Sequence, residues 1–133
     1  MKYFIIDAFT DQPFGGNPAG VVLLDTQTFP KEDLMLKIAA ELRYSETAFI
    51  LRHSEQEFTI RYFTPKAEVD LCGHATIASF FLLHQIYGCE QILHQISSRE
   101  QILHQNDGCA QIIGEFLFTD ENLVQEDERY AGR

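Results

Sequence analysis

Positive charge is what this chain has least of: ten Lys and Arg stand against twenty Asp and Glu, for a formal net charge of -10 at pH 7. A field of that sign repels nucleic-acid phosphates and anionic membrane surfaces, so neither is an expected partner. Long apolar runs are also missing. Tyr3–Ile6, closed by Asp7, is too short for the core of a secretory leader, and no later stretch approaches membrane-spanning length. A soluble, cytoplasmic protein is the expectation. Cysteine is sparse: Cys72, Cys89 and Cys109 are odd in number and none lies in a C-x-x-C pair, so disulfides are not expected in a reducing compartment. No H-E-x-x-H occurs, and His84, His94 and His104 mark equivalent positions of a repeat, so spacing gives no metal site. Gly15-Gly16 lacks the G-x-G-x-x-G pattern and no Walker sequence is present, which leaves no support for a nucleotide; no cofactor is expected.

What is present suits one core. At 133 residues, 45% of them apolar and including 11 Phe, the chain can bury one core but not two, and a single domain over residues 1–118 is expected. Tyr3–Ile6 predicts a buried strand; Pro13, Gly15, Gly16, Asn17 and Pro18 predict a loop; Gly20–Leu24 predicts a second strand. Pro30 opens a helix from Lys31 to Arg43 with Leu34, Ile38 and Leu42 along one stripe. Glu46–Leu51 and Phe58–Phe63 predict strands joined as a hairpin through the polar segment His53–Gln56. From Gly73 to Tyr87 the pattern is apolar on nearly every face, which places this helix inside the fold. Two helices serving five or more strands favour an α+β fold, strands wrapped around a central buried helix, over a doubly wound parallel sheet.

Beyond Leu82 the chain repeats itself. Leu82-Leu83-His84-Gln85, Ile92-Leu93-His94-Gln95 and Ile102-Leu103-His104-Gln105 recur at ten-residue intervals across residues 82–111. An even period keeps equivalent side chains on one face of a strand, and the turns at Gly88, Ser97-Ser98 and Asn106-Asp107-Gly108 predict a small meander from Glu90 to Phe118, with the first copy inside the buried helix. Duplication of coding sequence accounts for the repeat equally well. Residues 119–133 read as an acidic, frayed tail.

The chemistry concentrates in Asp70–Ser79, where Cys72, Gly73 and His74 stand at the start of the buried helix. The first turn of a helix leaves backbone N–H groups without partners at the positive end of the dipole, so a substrate carboxylate can dock there without a lysine.

Five segments carry a family resemblance: Asp7-Ala8-Phe9-Thr10, Phe14-Gly15-Gly16-Asn17-Pro18-Ala19, Ser45-Glu46-Thr47-Ala48-Phe49, Arg61-Tyr62-Phe63-Thr64-Pro65 and Cys72-Gly73-His74-Ala75-Thr76. In this order and spacing, over residues 1–83, they resemble the N-terminal half of the PhzF-like phenazine-biosynthesis isomerase family. The resemblance implies the diaminopimelate-epimerase type of fold, two similar domains that each wrap a sheet around a central helix, with the active site between them. It implies Glu46 as the catalytic residue, and Gly73 and His74 as the helix start that holds substrate. Moving a proton between carbons needs one group that both gives and takes it, a role open to a partly buried carboxyl. As a lone residue, Glu46 reads equally as an exposed carboxylate at a strand edge.

His74 either hydrogen-bonds a substrate carboxylate or packs at the helix start. Cys72 sits where cofactor-independent epimerases of this fold carry a thiol, and a helix start lowers a thiol pKa; its plainer role is that of a small buried hydrophobe beside the substrate site. Asn17 in its glycine loop either approaches the cleft or serves ordinary turn chemistry.

The resemblance stops where a second domain is expected to begin. The leading expectation is a cofactor-independent isomerase acting on a small carboxylate-bearing substrate, with a homodimer completing the cleft. The alternative is a truncated, non-catalytic remnant or small-anion-binding module. A third possibility is a racemase using Cys72 from each of two chains.

Overall fold

Every residue from Thr47 to Leu51 is buried, which a strand achieves only when both faces of its sheet are covered. The computed structural model describes residues 1–10, 12, 14–55, 57–70, 72–88, 91–96, 99–104 and 110–117. In chain order these form β1 (Lys2–Ala8), β2 (Asn17–Leu23), α1 (Glu32–Leu42), β3 (Thr47–Arg52), β4 (Glu57–Phe63), β5 (Glu68–Val69), α2 (Gly73–Tyr87), β6 (Gln91–Ile96), β7 (Arg99–His104) and β8 (Ala110–Leu117). They make one mixed sheet ordered β7-β6-β4-β3-β2-β1-β8, with β5 paired on β4. The architecture is α+β, as the sequence predicts.

Alternation along the strands sorts side chains to two layers. On one face Phe4, Ile6, Ala19, Val21, Ala48, Ile50, Ile60 and Tyr62 meet Ala75, Ala78, Leu82 and Leu83 of α2. This helix packs against β1, β2, β3 and β8, so the sheet does wrap around it. On the other face Val22, Phe49 and Phe63 meet Met35, Ile38 and Ala39 of α1. Phe49 and Phe63 stand edge to face there, ring centroids 5.4 Å apart. The buried stripe of α1 is therefore Met35-Ile38-Ala39, not Leu34-Ile38-Leu42; Leu34 and Leu42 are only partly covered, at the margins of the contact.

Two further expectations are corrected. Asn17 and Pro18 belong to β2, paired with Ala8 and Asp7 of β1. A proline is tolerated there because β3 engages β2 only from Gly20↔Thr47 onward, which leaves the first residues of β2 as an edge on that side. The repeat does not form a meander. β6 and β7 make an antiparallel hairpin, Gln91↔His104 to Ile96↔Arg99, and β6 runs parallel to β4. β8 instead crosses to the opposite edge and pairs with β1, Lys2↔Leu117. An even repeat fixes which face a side chain occupies but says nothing about which strand becomes its neighbour. The first copy does lie in α2. Residues 119–133 lie outside the described residues. No helix among the described residues is long and apolar enough to cross a membrane.

The β1–β2 connection is tight. A Cβ on Gly16 would run into the Ala8 carbonyl oxygen, so glycine is required by close approach of backbone. Phe9 and Phe14, both largely exposed, hold φ values of 61° and 65° in the same loop.

Candidate active site

The entry to β3 and the end of β1 lie at one end of the sheet, through Gly20↔Thr47 and Ala8↔Asn17, and the 3.2 Å contact of His74 with Glu46 puts the start of α2 there too. Glu46 immediately precedes β3, and its carbonyl accepts a hydrogen bond from the Gly20 N–H at 3.3 Å, which ties that turn to β2. Across from it Cys72 takes the cap position of α2 with extended backbone, φ -139° and ψ 122°. No acidic side chain lies in the first turn of α2, and the cap has no side-chain hydrogen bond. The helix start keeps its positive end uncompensated from within.

His74 is the centre of the cluster. Its Nε2 lies 3.2 Å from Glu46 Oε2 and 3.4 Å from Ser45 Oγ, and its Nδ1 lies 3.1 Å from Cys72 Sγ. The imidazole is nearly buried, with 9% of its side chain exposed against 21% for Glu46. A carboxylate at Glu46 takes the proton-bearing Nε2 as its partner, which leaves Nδ1 to accept the Cys72 S–H. Each ring nitrogen is thus gripped from a different side, and ring orientation is fixed.

Cys72 does not become the acidic thiol that a helix start alone suggests. Burial pushes its pKa up, the N–H of Ala75 pulls it down, and the Glu46 carboxylate pushes it up again. The net direction is upward, so the protonated thiol is favoured. Behind the cluster the Thr76 hydroxyl lies 2.7 Å from the Cys72 carbonyl oxygen and 2.8 Å from Tyr62 Oη.

The residues singled out from sequence divide accordingly. Glu46, Cys72 and His74 come together, and Gly73 lies exposed at the helix start, where an added Cβ would meet nothing within 4 Å. Space for a ligand is open at that point. Asn17 is exposed at the start of β2, at the same end of the sheet, and makes no side-chain hydrogen bond to the cluster. Ser45, which opens the Ser-Glu-Thr segment, joins the site through its 3.4 Å contact with His74 Nε2, which motif spacing alone does not show. Spacing alone also missed the donor set of Glu46, Cys72 and His74, whose ligand-type atoms lie within 4.8 Å of one another. An apolar cavity lined by Phe4, Leu23, Leu24, Ile86, Tyr87 and Ile112 sits at the other end of α2 and shares no residue with the cluster.

A sheet wrapped around a helix whose start carries this cluster is the diaminopimelate-epimerase-like fold. A probable proline racemase from Agrobacterium radiobacter shares it at a TM-score of 0.52 and 12% identity, over 81% of this chain and 38% of that one, a likeness of fold alone. The family follows from closer matches. The chain belongs to the PhzC-PhzF family of phenazine biosynthesis-like proteins, whose pattern matches residues 6–116. It is 51% identical over 87 residues to the "Uncharacterized isomerase YddE" of Salmonella typhimurium, covering 65% of this chain and 29% of that protein. A human "Phenazine biosynthesis-like domain-containing protein" is 50% identical over 94 residues, covering 65% of this chain and 32% of that one. A putative phenazine biosynthesis PhzC/PhzF protein from Clostridium difficile superposes with a TM-score of 0.72 at 38% identity, over 80% of this chain and 41% of that chain. The matched stretch spans less than a third of the length of these two curated relatives.

Proposed function

We propose that the chain is an isomerase that moves a proton on a small carboxylate-bearing substrate, using Glu46 as general acid and base and needing neither metal nor nucleotide. The observation that carries this reading is the 3.2 Å contact between Glu46 Oε2 and His74 Nε2 at the open start of α2. The positive end of α2 at Gly73, together with the imidazole, attracts the substrate carboxylate and holds it beside Glu46. Glu46 then removes a proton from carbon and returns it to a different carbon. His74 is held by Cys72 on one nitrogen and so presents a fixed hydrogen-bonding face on the other. Asn17 lines the same end of the sheet and contributes a polar group to the substrate site. A second copy, apposed across the open side at Gly73, supplies the far wall of the cleft in a homodimer.

The test is deuterium incorporation from heavy water into candidate carboxylic acids, followed by NMR, together with sedimentation of the chain in solution. Exchange by wild type that Glu46→Gln abolishes is the expected result. No exchange with any acid, or equal exchange by both proteins, overturns it. The open space at Gly73 also favours a second reading, a helix start that binds small anions without turning them over. That reading predicts saturable anion binding with no deuterium uptake.

A further inference from the structure

Outside proton transfer, the cluster has a second chemical property: it offers sulfur, nitrogen and oxygen donors of the kind that soft-to-borderline divalent cations prefer. Cys72 Sγ, one ring nitrogen of His74 and one carboxylate oxygen of Glu46 lie within 4.8 Å of one another. Zinc bonds of 2.0–2.3 Å at tetrahedral angles place neighbouring donors about 3.3–3.8 Å apart. The present contacts, 3.1 Å for Sγ to Nδ1 and 3.2 Å for Nε2 to Oε2, fall just short of that spacing, so ligation moves the donors slightly apart. Only one ring nitrogen can ligate a given ion, so one of the flanking side chains must swing toward it. Cys72 does this through one torsion, giving up its 3.1 Å contact with His74 Nδ1 for a bond to the ion. The open space at Gly73 leaves room for a water as fourth ligand.

We infer that Glu46, Cys72 and His74 form a three-ligand site for zinc(II), with an open fourth position toward Gly73. Binding forms a Zn–N bond at Nε2, whose proton shifts through solvent to the Nδ1 that the thiol vacates, and replaces the Cys72 S–H bond with a Zn–S bond; the thiol proton goes to buffer and nothing is oxidised or reduced. The ion draws on the same carboxylate and imidazole as the proposed proton transfer, so occupancy and isomerisation exclude each other. Zinc acts here as an inhibitor held in the substrate site, not as a cofactor. The inference rests on the donor geometry and stands whether or not the chain turns a substrate over.

The experiment therefore reads the metal directly. The metal-free chain, in a Cys89→Ser and Cys109→Ser background, is titrated with zinc chloride by calorimetry and with cobalt(II) chloride by absorption. One equivalent per chain is expected, and cobalt should give a near-ultraviolet thiolate-to-metal band that Cys72→Ala removes. His74→Ala and Glu46→Gln should each weaken zinc by at least the roughly 10- to 100-fold that losing an outer-shell partner costs. Glu46→Gln keeps side-chain size, so it remains informative where Cys72→Ala or His74→Ala perturbs folding by circular dichroism. Three results overturn the inference: no binding, binding without a thiolate band, or binding unchanged by Glu46→Gln and His74→Ala, as ions held by the histidines of the repeat would show. Deuterium exchange plays no part in this readout, so failure of the isomerase proposal leaves it intact.

Discussion

The hydroxyl of Thr76 lies 2.8 Å from Tyr62 Oη, so the first turn of α2 is tied directly to β4. Because Thr76 also reaches the Cys72 carbonyl at 2.7 Å, the strand that carries Tyr62 braces the turn that carries the cluster. Burial holds the Tyr62 phenol well above its ordinary pKa of 10.0.

Alkaline titration should expose that burial. The phenol in the fold stays protonated above pH 10 while the unfolded chain has already released its proton, so the unfolded state binds fewer protons there and stability falls as pH rises from about 10. Tyr62→Phe removes this dependence. Urea midpoints measured between pH 8 and pH 11 should converge for the two proteins, with the variant less stable by about 0.5–1.5 kcal/mol at pH 8 from the lost hydrogen bond. Parallel curves across the whole range would contradict this.

Gly16→Ala should destabilise the chain by about 1–3 kcal/mol, the usual cost of forcing atoms into filled space. The obstacle is the Ala8 carbonyl oxygen, part of the backbone of β1, which cannot rotate aside. Thermal unfolding checks it. A melting temperature equal to wild type means that the loop has slack.

Two positions on one helix test whether α2 is the centre of the fold. Leu82 is fully buried, whereas Ile86 is 43% exposed. Leu82→Ala should cost about 2–5 kcal/mol by cavity formation, while Ile86→Ala should cost only a fraction of that. Chemical denaturation of both variants separates the cases, and equal losses would place α2 differently.

Within the proposed reaction Glu46 and His74 should fail in different ways. Glu46→Gln removes the proton carrier and should lower kcat by about 10²–10⁴-fold. His74→Gln removes a substrate anchor and should act mainly by raising KM. Steady-state exchange of deuterium into an accepted acid distinguishes them. A His74→Gln effect confined to kcat assigns the imidazole to proton transfer instead.

Much of the fold is legible in the sequence where local pattern and tertiary role coincide. The helix at Gly73–Tyr87 is apolar on most faces because from His74 to His84 every residue is buried or half-buried, and only its last turn, with Ile86 and Tyr87, comes out to solvent. The hairpin of β3 and β4 follows from two β-rich runs with a short polar link between them. Legibility ends where partners are chosen at long range. Nothing in Ala110–Leu117 states that β1 is its neighbour, since the strand follows directly on the repeat that supplies β6 and β7 yet pairs elsewhere. The site shows the same division. Glu46 and His74 are recognisable from their motifs, but their meeting through the ring of His74, with Cys72 on its far nitrogen, depends on tertiary pairing: β4 ends at Phe63 opposite Thr47, and β5 folds back on it just before α2 begins. Ser45 stands in the Ser-Glu-Thr segment, but that its hydroxyl reaches the ring of His74 depends on the tertiary fold.

The pairing of Lys2 with Leu117 bears on how the chain is made. Of the described strands β1 is made before the others and can zip at once onto β2, a local event with a small loop to close. Its other edge must stay open until almost all of the remaining described chain has been synthesised, because the strand that covers it is β8. For that interval β1 offers a row of unpaired amides and carbonyls to any extended chain nearby, which makes this edge the place where association with a second nascent copy competes with folding.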